Sequence, residues 1–235
     1  MAFSTFDRDH DKYYANCAEQ DSSGWWFNRC SAVNLNGIHY GNGSSAIFSP
    51  NQHGFDDGIL WQTWTNNKYE SLIGSKMMLS NMETQDGTKN EPGFLPADSC
   101  QAVAEQLLDA GKLTPNTKPG TLDGVYEIKE LGGGTKAVDC KIMMCQNSPA
   151  GWTLMQKRFD GSVDFNQNWD EYRNGFGFEH KGQYRGPRPG DAVGEGWLGN
   201  DLINVLTEGI DSRGVSLLVE MERRFDKNPN MATVG

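Results

Sequence analysis

No stretch of this chain approaches the about 18 consecutive apolar residues of a membrane span, and no basic-then-apolar leader opens it. If the sequence is an internal stretch of a longer protein, the missing leader carries no information about secretion. Basic side chains are scarce: 21 Lys and Arg stand against 31 Asp and Glu, a formal charge of -10 with a pI near 4.8. Nucleic acid is thereby excluded as a partner, because its phosphates demand a surplus of positive charge. Catalytic signatures are missing too, with no Gly-x-Ser-x-Gly, His-Glu-x-x-His, Walker loop or Cys-x-x-Cys. His10, His39, His53 and His180 are too scattered to give a ligand spacing. Gly132-Gly133-Gly134 lacks phosphate-loop spacing and reads as a hairpin turn. Asp160 and Asp164, inside Asp-Gly-Ser-Val-Asp-Phe, read as turn formers that hold backbone amides rather than as a catalytic pair. The chain is therefore read as a non-enzyme.

What is present suffices for a core: 37% hydrophobic and 11% aromatic residues. With 28 glycines and a mean hydropathy of -0.63, the architecture should be loop-rich with few long helices. One clear helical pattern runs from Asp98 to Leu108, with Asp98 or Ser99 as N-cap, Val103, Leu107 and Leu108 on one face, and Gly111 as the stop. Asp201 to Thr207 is a shorter helix candidate. Alternation and β-branched or aromatic content predict strands at Val125–Ile128, Lys136–Met144, Trp152–Arg158 and Val215–Met221. Residues 81–97 are polar, lack a hydrophobic period and are punctuated by Pro92 and Gly93, as a linker is. The fold class is mixed α+β, with an antiparallel sheet, short helices and long irregular loops.

The densest chemistry lies between Phe3 and Gly37. Asp7, Asp9 and Asp11 alternate, then come Cys17, the pair Trp25-Trp26, and Cys30. Alternating carboxylates supply the hard oxygen ligands that Ca2+ takes in irregular geometry. An EF-hand is excluded, because counting from Asp7 the Gly position holds Lys12 and the Glu position holds Ala18. Adjacent aromatics point to opposite faces of a strand, and core packing is the expected role of both tryptophans. Asn42-Gly43-Ser44 is the one glycosylation sequon, with Asn42 as acceptor.

Phe3 to Lys12, Asn16-Cys17-Ala18, Gly24 to Cys30, Asn34 to Gly37, Asp56 to Trp61 and Trp64 together resemble the C-terminal half of a fibrinogen C-terminal globular domain. Cys100, Asp123 to Tyr126, Cys140, Gly151-Trp152-Thr153, Gln156-Lys157-Arg158, Asp160 to Phe165, Asn168-Trp169, Tyr172, Gly175-Phe176-Gly177 and Trp197 to Asn200 resemble the N-terminal half of the same family. The halves stand in reversed order, and the stretch that joins them in the family is absent. The resemblance implies residues 1–80 as the C-terminal, calcium and pocket part of one domain, 81–97 as linker, and 98–235 as the N-terminal part of a second. A fragment of a tandem-domain protein is the simplest account; circular permutation with a deletion is the rival.

The resemblance carries further expectations. It pairs Cys17 with Cys30 and Cys100 with Cys140. Cys145 is an alternative partner for Cys100, although the alternating Val138-Asp139-Cys140-Lys141-Ile142 favours Cys140. Ca2+ would be held by the side chains of Asp9 and Asp11 and the carbonyls of Tyr13 and Ala15, with Asp7 as outer support. The ligand pocket would draw on Gln20, Asp21, Arg29, Ser31, Phe55, Asp56 and Asn67. The Arg29–Cys30 peptide bond would be cis. Ser31 stands where the family's pocket has His, and Phe55 where acetyl-binding members have Tyr, so donors for an acetamide are lost while Asp21 and Asp56 keep negative charge. A cationic group is then preferred over an acetylated sugar. The expected function is a secreted, extracellular, calcium-binding recognition or adhesion protein that takes a glycan or protein ligand and forms homo-oligomers in its full-length form. A structural matrix or clotting-type protein with a vestigial pocket is the alternative.

Overall fold

A computed structural model describes residues 2–41, 57–65, 71–81, 97–130, 133–178, 186–187, 194–207 and 215–223. The first segment carries helix α1 (Cys17–Gln20), strands β1 (Val33–Asn34) and β2 (Leu60–Trp61), helix α2 (Gln62–Thr65) and strand β3 (Gly74–Asn81). The second carries α3 (Cys100–Asp109), β4 (Gly124–Lys129), β5 (Thr135–Cys145), β6 (Ser148–Arg158), α4 (Trp169–Asn174), β7 (Gly186–Pro187), β8 (Gly196–Trp197), α5 (Asn200–Thr207) and β9 (Val215–Glu222). The expected linker lies almost wholly outside the described residues.

Among the described residues, seven strands form one antiparallel sheet in the order β7-β4-β5-β6-β3-β9, with β8 beside β6. β5 and β6 meet in a two-residue turn, where Gln146 and Asn147 take φ of 48° and 71°. Two consecutive left-handed residues match the twist of a hairpin, so the strands run to Cys145 and Ser148 without an intervening loop. On its other side β6 accepts β3, from Ser75↔Arg158 to Leu79↔Thr153, and β3 in turn pairs along its whole length with β9. The first segment thus supplies a central strand to a sheet otherwise built by the second.

Helix α3 follows its sequence pattern. Ser99 is the N-cap and accepts the Ala102 amide at 3.1 Å, while Gly111, at φ 66°, follows the C-cap Ala110. Val103 and Leu107 are buried against Ile128, Val138, Ile142, Leu202 and Leu206. The helix start presses on β6 so closely that a Cβ on Gly151 would lie 1.8 Å from the Cys100 carbonyl oxygen. Cys100–Cys140 fastens the same corner, with Cα atoms 5.5 Å apart, and Cys145 is a free, exposed thiol. A second apolar cluster draws on both segments: Phe3, Trp25, Phe27, Leu35, Ile59, Leu72, Met77 and Leu79 pack with Met155, Phe165, Tyr172 and Trp197. Trp25 is buried, and Trp26 is half-buried against Phe3 and Trp197. Among the described residues no helix is long and apolar enough to cross a membrane.

Candidate functional site

The loop between Phe3 and Cys17 is folded by its own side chains. Thr5 and Arg8 exchange backbone hydrogen bonds of 3.0 and 3.1 Å, making a tight reversal at Phe6-Asp7. Asp9 Oδ1 accepts the Asp11 amide at 3.0 Å, a local Asx contact. Asp11 does more: Oδ1 accepts the Tyr13 amide at 2.7 Å and Oδ2 the Cys17 amide at 2.9 Å. Its carboxylate thus joins the loop to the start of α1. Asn16 caps α1 through Oδ1, which accepts from Ala18 and Glu19, while its Nδ2 donates to the carbonyls of Thr5 and Phe6. The Lys12 amide donates to the Asn28 carbonyl at 2.7 Å, and the Cys17–Cys30 disulfide, with Cα atoms 5.3 Å apart, closes the other side.

Asp7 has a different part. Its Oδ1 accepts the Thr5 hydroxyl at 2.7 Å and the Trp169 amide at 2.9 Å, across 162 residues of sequence. The Arg8 guanidinium sits 4.6 Å from the Trp169 ring centroid, and the His10 ring meets the same indole edge-on at 5.3 Å. The loop therefore grips the first turn of α4.

Asp9, Asp11 and the carbonyls of Tyr13 and Ala15 are all hard oxygen donors, the set that suits Ca2+, and each carboxylate oxygen keeps lone-pair capacity beyond the amide it accepts. Among the described residues no three His, Cys, Asp or Glu side chains converge as a metal cluster, so carbonyls and water would have to complete the coordination. Of the expected pocket residues, Gln20 and Asp21 stand at the end of α1, the helix that Cys17 opens, and Arg29 and Ser31 flank its disulfide partner Cys30. Asp21 is buried, Gln20 and Ser31 are half-buried, and Arg29 is exposed. Phe55, Asp56, Asn67 and the sequon Asn42 lie outside the described residues. The peptide bond entering Cys30 is trans, a correction to the cis bond implied by the resemblance. Trans is the lower-energy form wherever the surroundings do not enforce the other. Strand pairing of β1 with β2 and the 2.6 Å bond from the Ile38 amide to the Asp57 carbonyl set residues 57–61 beside 33–38.

Sequence reasoning missed the polar network beneath this site. Arg158, 3% exposed, donates from Nη1 to the carbonyls of Asn36 and Gly37 and from Nε to Glu195 Oε1 at 3.3 Å. Glu195, fully buried, also accepts the amides of Phe159 and Val163 at 2.8 and 3.0 Å. Burial by itself would raise the Glu195 carboxyl, but Arg158 and those amides outweigh it and hold it below the ordinary range. Arg158 also lies over the Phe165 ring at 3.9 Å. A cleft of about 320 Å3 opens here, lined among others by Ser22, His39, Arg158, Ser162, Asp164 and Phe165, and by none of Gln20, Asp21, Arg29 or Ser31. Asp160 and Asp164 hold the amides of Ser162 and Asn166 at 3.0 and 2.8 Å, the turn role expected of them. Gln156-Lys157-Arg158 was legible as a family mark, but nothing in it signalled that Leu35, Asn36 and Gly37, more than a hundred residues earlier, are among its partners.

Comparison with known proteins gives these contacts a context. The family model for the C-terminal globular domain of fibrinogen beta and gamma chains matches residues 1–82 and 118–233. The fibrinogen gamma chain of Xenopus laevis is 42% identical over 99 residues, which are 42% of this chain and 23% of that protein. The human gamma chain is 53% identical over 70 residues (29% of this chain, 15% of that one). Human fibrinogen-like protein 1 is 55% identical over 64 residues (27% and 18%). Each match thus spans less than a quarter of the relative's length. A solved structure, lamprey fibrin D-dimer in complex with the peptide ligand Gly-His-Arg-Pro-amide, aligns at 32% identity with a TM-score of 0.32, over 53% of this chain and 31% of that one. With most of the sequence inside the two stretches matched by the family model, the chain belongs to the family of the fibrinogen C-terminal globular domain.

Proposed function

We propose that this chain is an extracellular recognition module in which calcium, held by Asp9, Asp11 and the carbonyls of Tyr13 and Ala15, orders the wall of a ligand pocket formed by Gln20, Asp21, Arg29 and Ser31 together with Phe55, Asp56 and Asn67. One observation carries the reading: the Asp11 carboxylate accepts the amides of both Tyr13 and Cys17. A cation at this carboxylate would therefore act on the loop and on the disulfide-bound helix that ends in Gln20 and Asp21. Two acids without the family's His and Tyr hydroxyl favour a cationic group, such as an Arg-bearing peptide, over an acetylated sugar. The same substitutions support the second reading, an adhesive or clotting-type protein whose small-molecule pocket is vestigial. The sharing of one sheet by the two segments supports taking them as halves of a single unit in reversed order.

Calorimetric titration tests the metal site first. Asp9→Ala should lower calcium affinity at least about tenfold, the loss of about 1.4 kcal/mol, and unchanged uptake removes the assignment. Titration with N-acetylglucosamine and with a short Arg-containing peptide, in millimolar calcium and again in chelator, then tests the ligand. The peptide should bind more tightly than the sugar, and less at high salt, because its charge is drawn by carboxylates whose attraction salt screens. Tighter sugar binding would reverse the preference.

A further inference from the structure

We propose that residues 1–81 and 98–223 are mutually specific binding partners that recognise each other without their connector, so that one copy of the chain can supply either segment to a second copy. The proposal rests on the interface between segments and is independent of the calcium reading. Neither disulfide crosses that interface: Cys17–Cys30 lies within the first segment and Cys100–Cys140 within the second. Everything that joins them beyond the connector is non-covalent.

That joining surface has the character of a protein core. β3 completes two ladders, to β6 and to β9, so that without it β9 loses its partner in the sheet and β6 loses the neighbour of its second half. Buried polar groups of one segment find their partners in the other. Gln156 Nε2 donates to the Leu35 carbonyl and to Asn36 Oδ1, at 2.6 and 3.2 Å. Arg158 reaches the carbonyls of Asn36 and Gly37, and the Tyr172 hydroxyl accepts the Gly24 amide at 3.1 Å. Burying such donors unpaired is costly, so a wrong register or a wrong partner is disfavoured and recognition is specific. The apolar side is as demanding: Phe3 of one segment stacks at 5.1 to 6.3 Å with Trp169, Tyr172 and Trp197 of the other.

A second copy offers the same contacts, atom for atom. The connector's contribution is to raise the effective concentration of one segment near the other to the millimolar range. Intact monomers should therefore dominate at micromolar concentration, and exchange between copies should emerge when chains fold together.

The test inserts a site-specific protease sequence between Gln85 and Asp86 of the full chain and cuts the folded protein. At about 1 μM, about nine-tenths of the two fragments should still co-migrate in size exclusion, which corresponds to a Kd near 10 nM. Dissociation at that concentration overturns the proposal. A second arm co-refolds two mass-labelled full-length variants, each with a lesion in a different segment. In Gly37→Val the new Cβ would meet the Gly58 carbonyl oxygen at 1.9 Å, and in Gly151→Val it would meet that of Cys100 at 1.8 Å. Native mass spectrometry should find a heterodimer that neither variant yields alone. Its absence alongside a stable nicked protein would confine the recognition to a single chain and remove the second copy from the proposal. Should either lesion be tolerated, the nicked protein decides alone.

Discussion

The two apolar clusters differ in how the chain reaches them. The one under α3 is built wholly from residues 97–206, its helix and strands are near neighbours in sequence, and its disulfide closes a loop of 40 residues. The one behind the loop is assembled from both ends of the chain, with Phe3 against Trp197 and Gly24 against Tyr172. Local order suffices for the first. The second is fixed by complementarity between residues far apart in sequence, and β3 and β6 carry that complementarity into the sheet. Perturbations should therefore divide into those that loosen only the α3 corner and those that part the segments.

The largest effect expected is at the buried ion pair. Glu195→Ala would leave Arg158 charged and uncompensated at 3% exposure, and breaking a buried pair from one side costs about 3 to 5 kcal/mol. Urea denaturation should show that loss, and amide exchange should rise on Asn36 and Gly37 as well as near residue 160. The same pair sets an acid limit. The folded Glu195 carboxyl lies below its unfolded value, so its contribution is fully present above the ordinary carboxyl range, near pH 4.5, and fades as the pH falls through the lower folded value. Glu195→Gln should flatten the stability profile below about pH 4.5. A profile as steep as that of the unaltered chain would assign the acid sensitivity to other carboxylates.

A smaller change aims at the seam itself. Tyr172 is fully buried, and its hydroxyl donates to the Phe165 carbonyl at 2.7 Å while accepting the Gly24 amide. Tyr172→Phe keeps the ring and strands both partners, a loss of about 1 to 3 kcal/mol. Its signature should be spatial: faster exchange at Gly24, with little change at Ala102 or Val103 beneath α3. Equal acceleration in both places would mean that the two clusters unfold as one unit and that the contrast between them is only geometric.

The sequence was most legible where structure is local. The α3 pattern, β4, β5, β6, β9 and α5 all stand within a few residues of their expected places, because capping, alternation and burial act over short spans. β3 escaped: Ser75-Lys76-Met77-Met78-Leu79 has no clean alternation, since the successive side chains of Met77, Met78 and Leu79 are all buried and the strand is covered on both faces. The Gln146-Asn147 turn escaped because neither residue is glycine. At the candidate site, Asp11 and the Cys17–Cys30 loop were visible in spacing and resemblance, whereas the grip of Asp7 on Trp169 and of Arg158 on Gly37 depends on pairings more than a hundred residues apart. Such pairings leave no periodic trace in either partner.

The smallest predicted effect lies at the α3 corner and serves as the control for the seam. Ser99 Oγ accepts the Ala102 amide at 3.1 Å, one of the donors that a helix start leaves without an internal partner. Ser99→Ala removes that acceptor, which costs about 1 kcal/mol and, for a chain of this size, lowers Tm by about 2 to 4 °C. Ser99 is buried, so water cannot easily replace the lost oxygen, and the effect should sit at the upper end of that range. Exchange should quicken at Ala102 and Val103 and along the Cys100–Cys140 corner, while Gly24, Asn36 and Gly37 keep their protection. If calorimetry gives the expected shift but the seam amides open as well, the α3 corner supports the interface between the segments, and the local cluster is not the independent unit that its sequence order suggests.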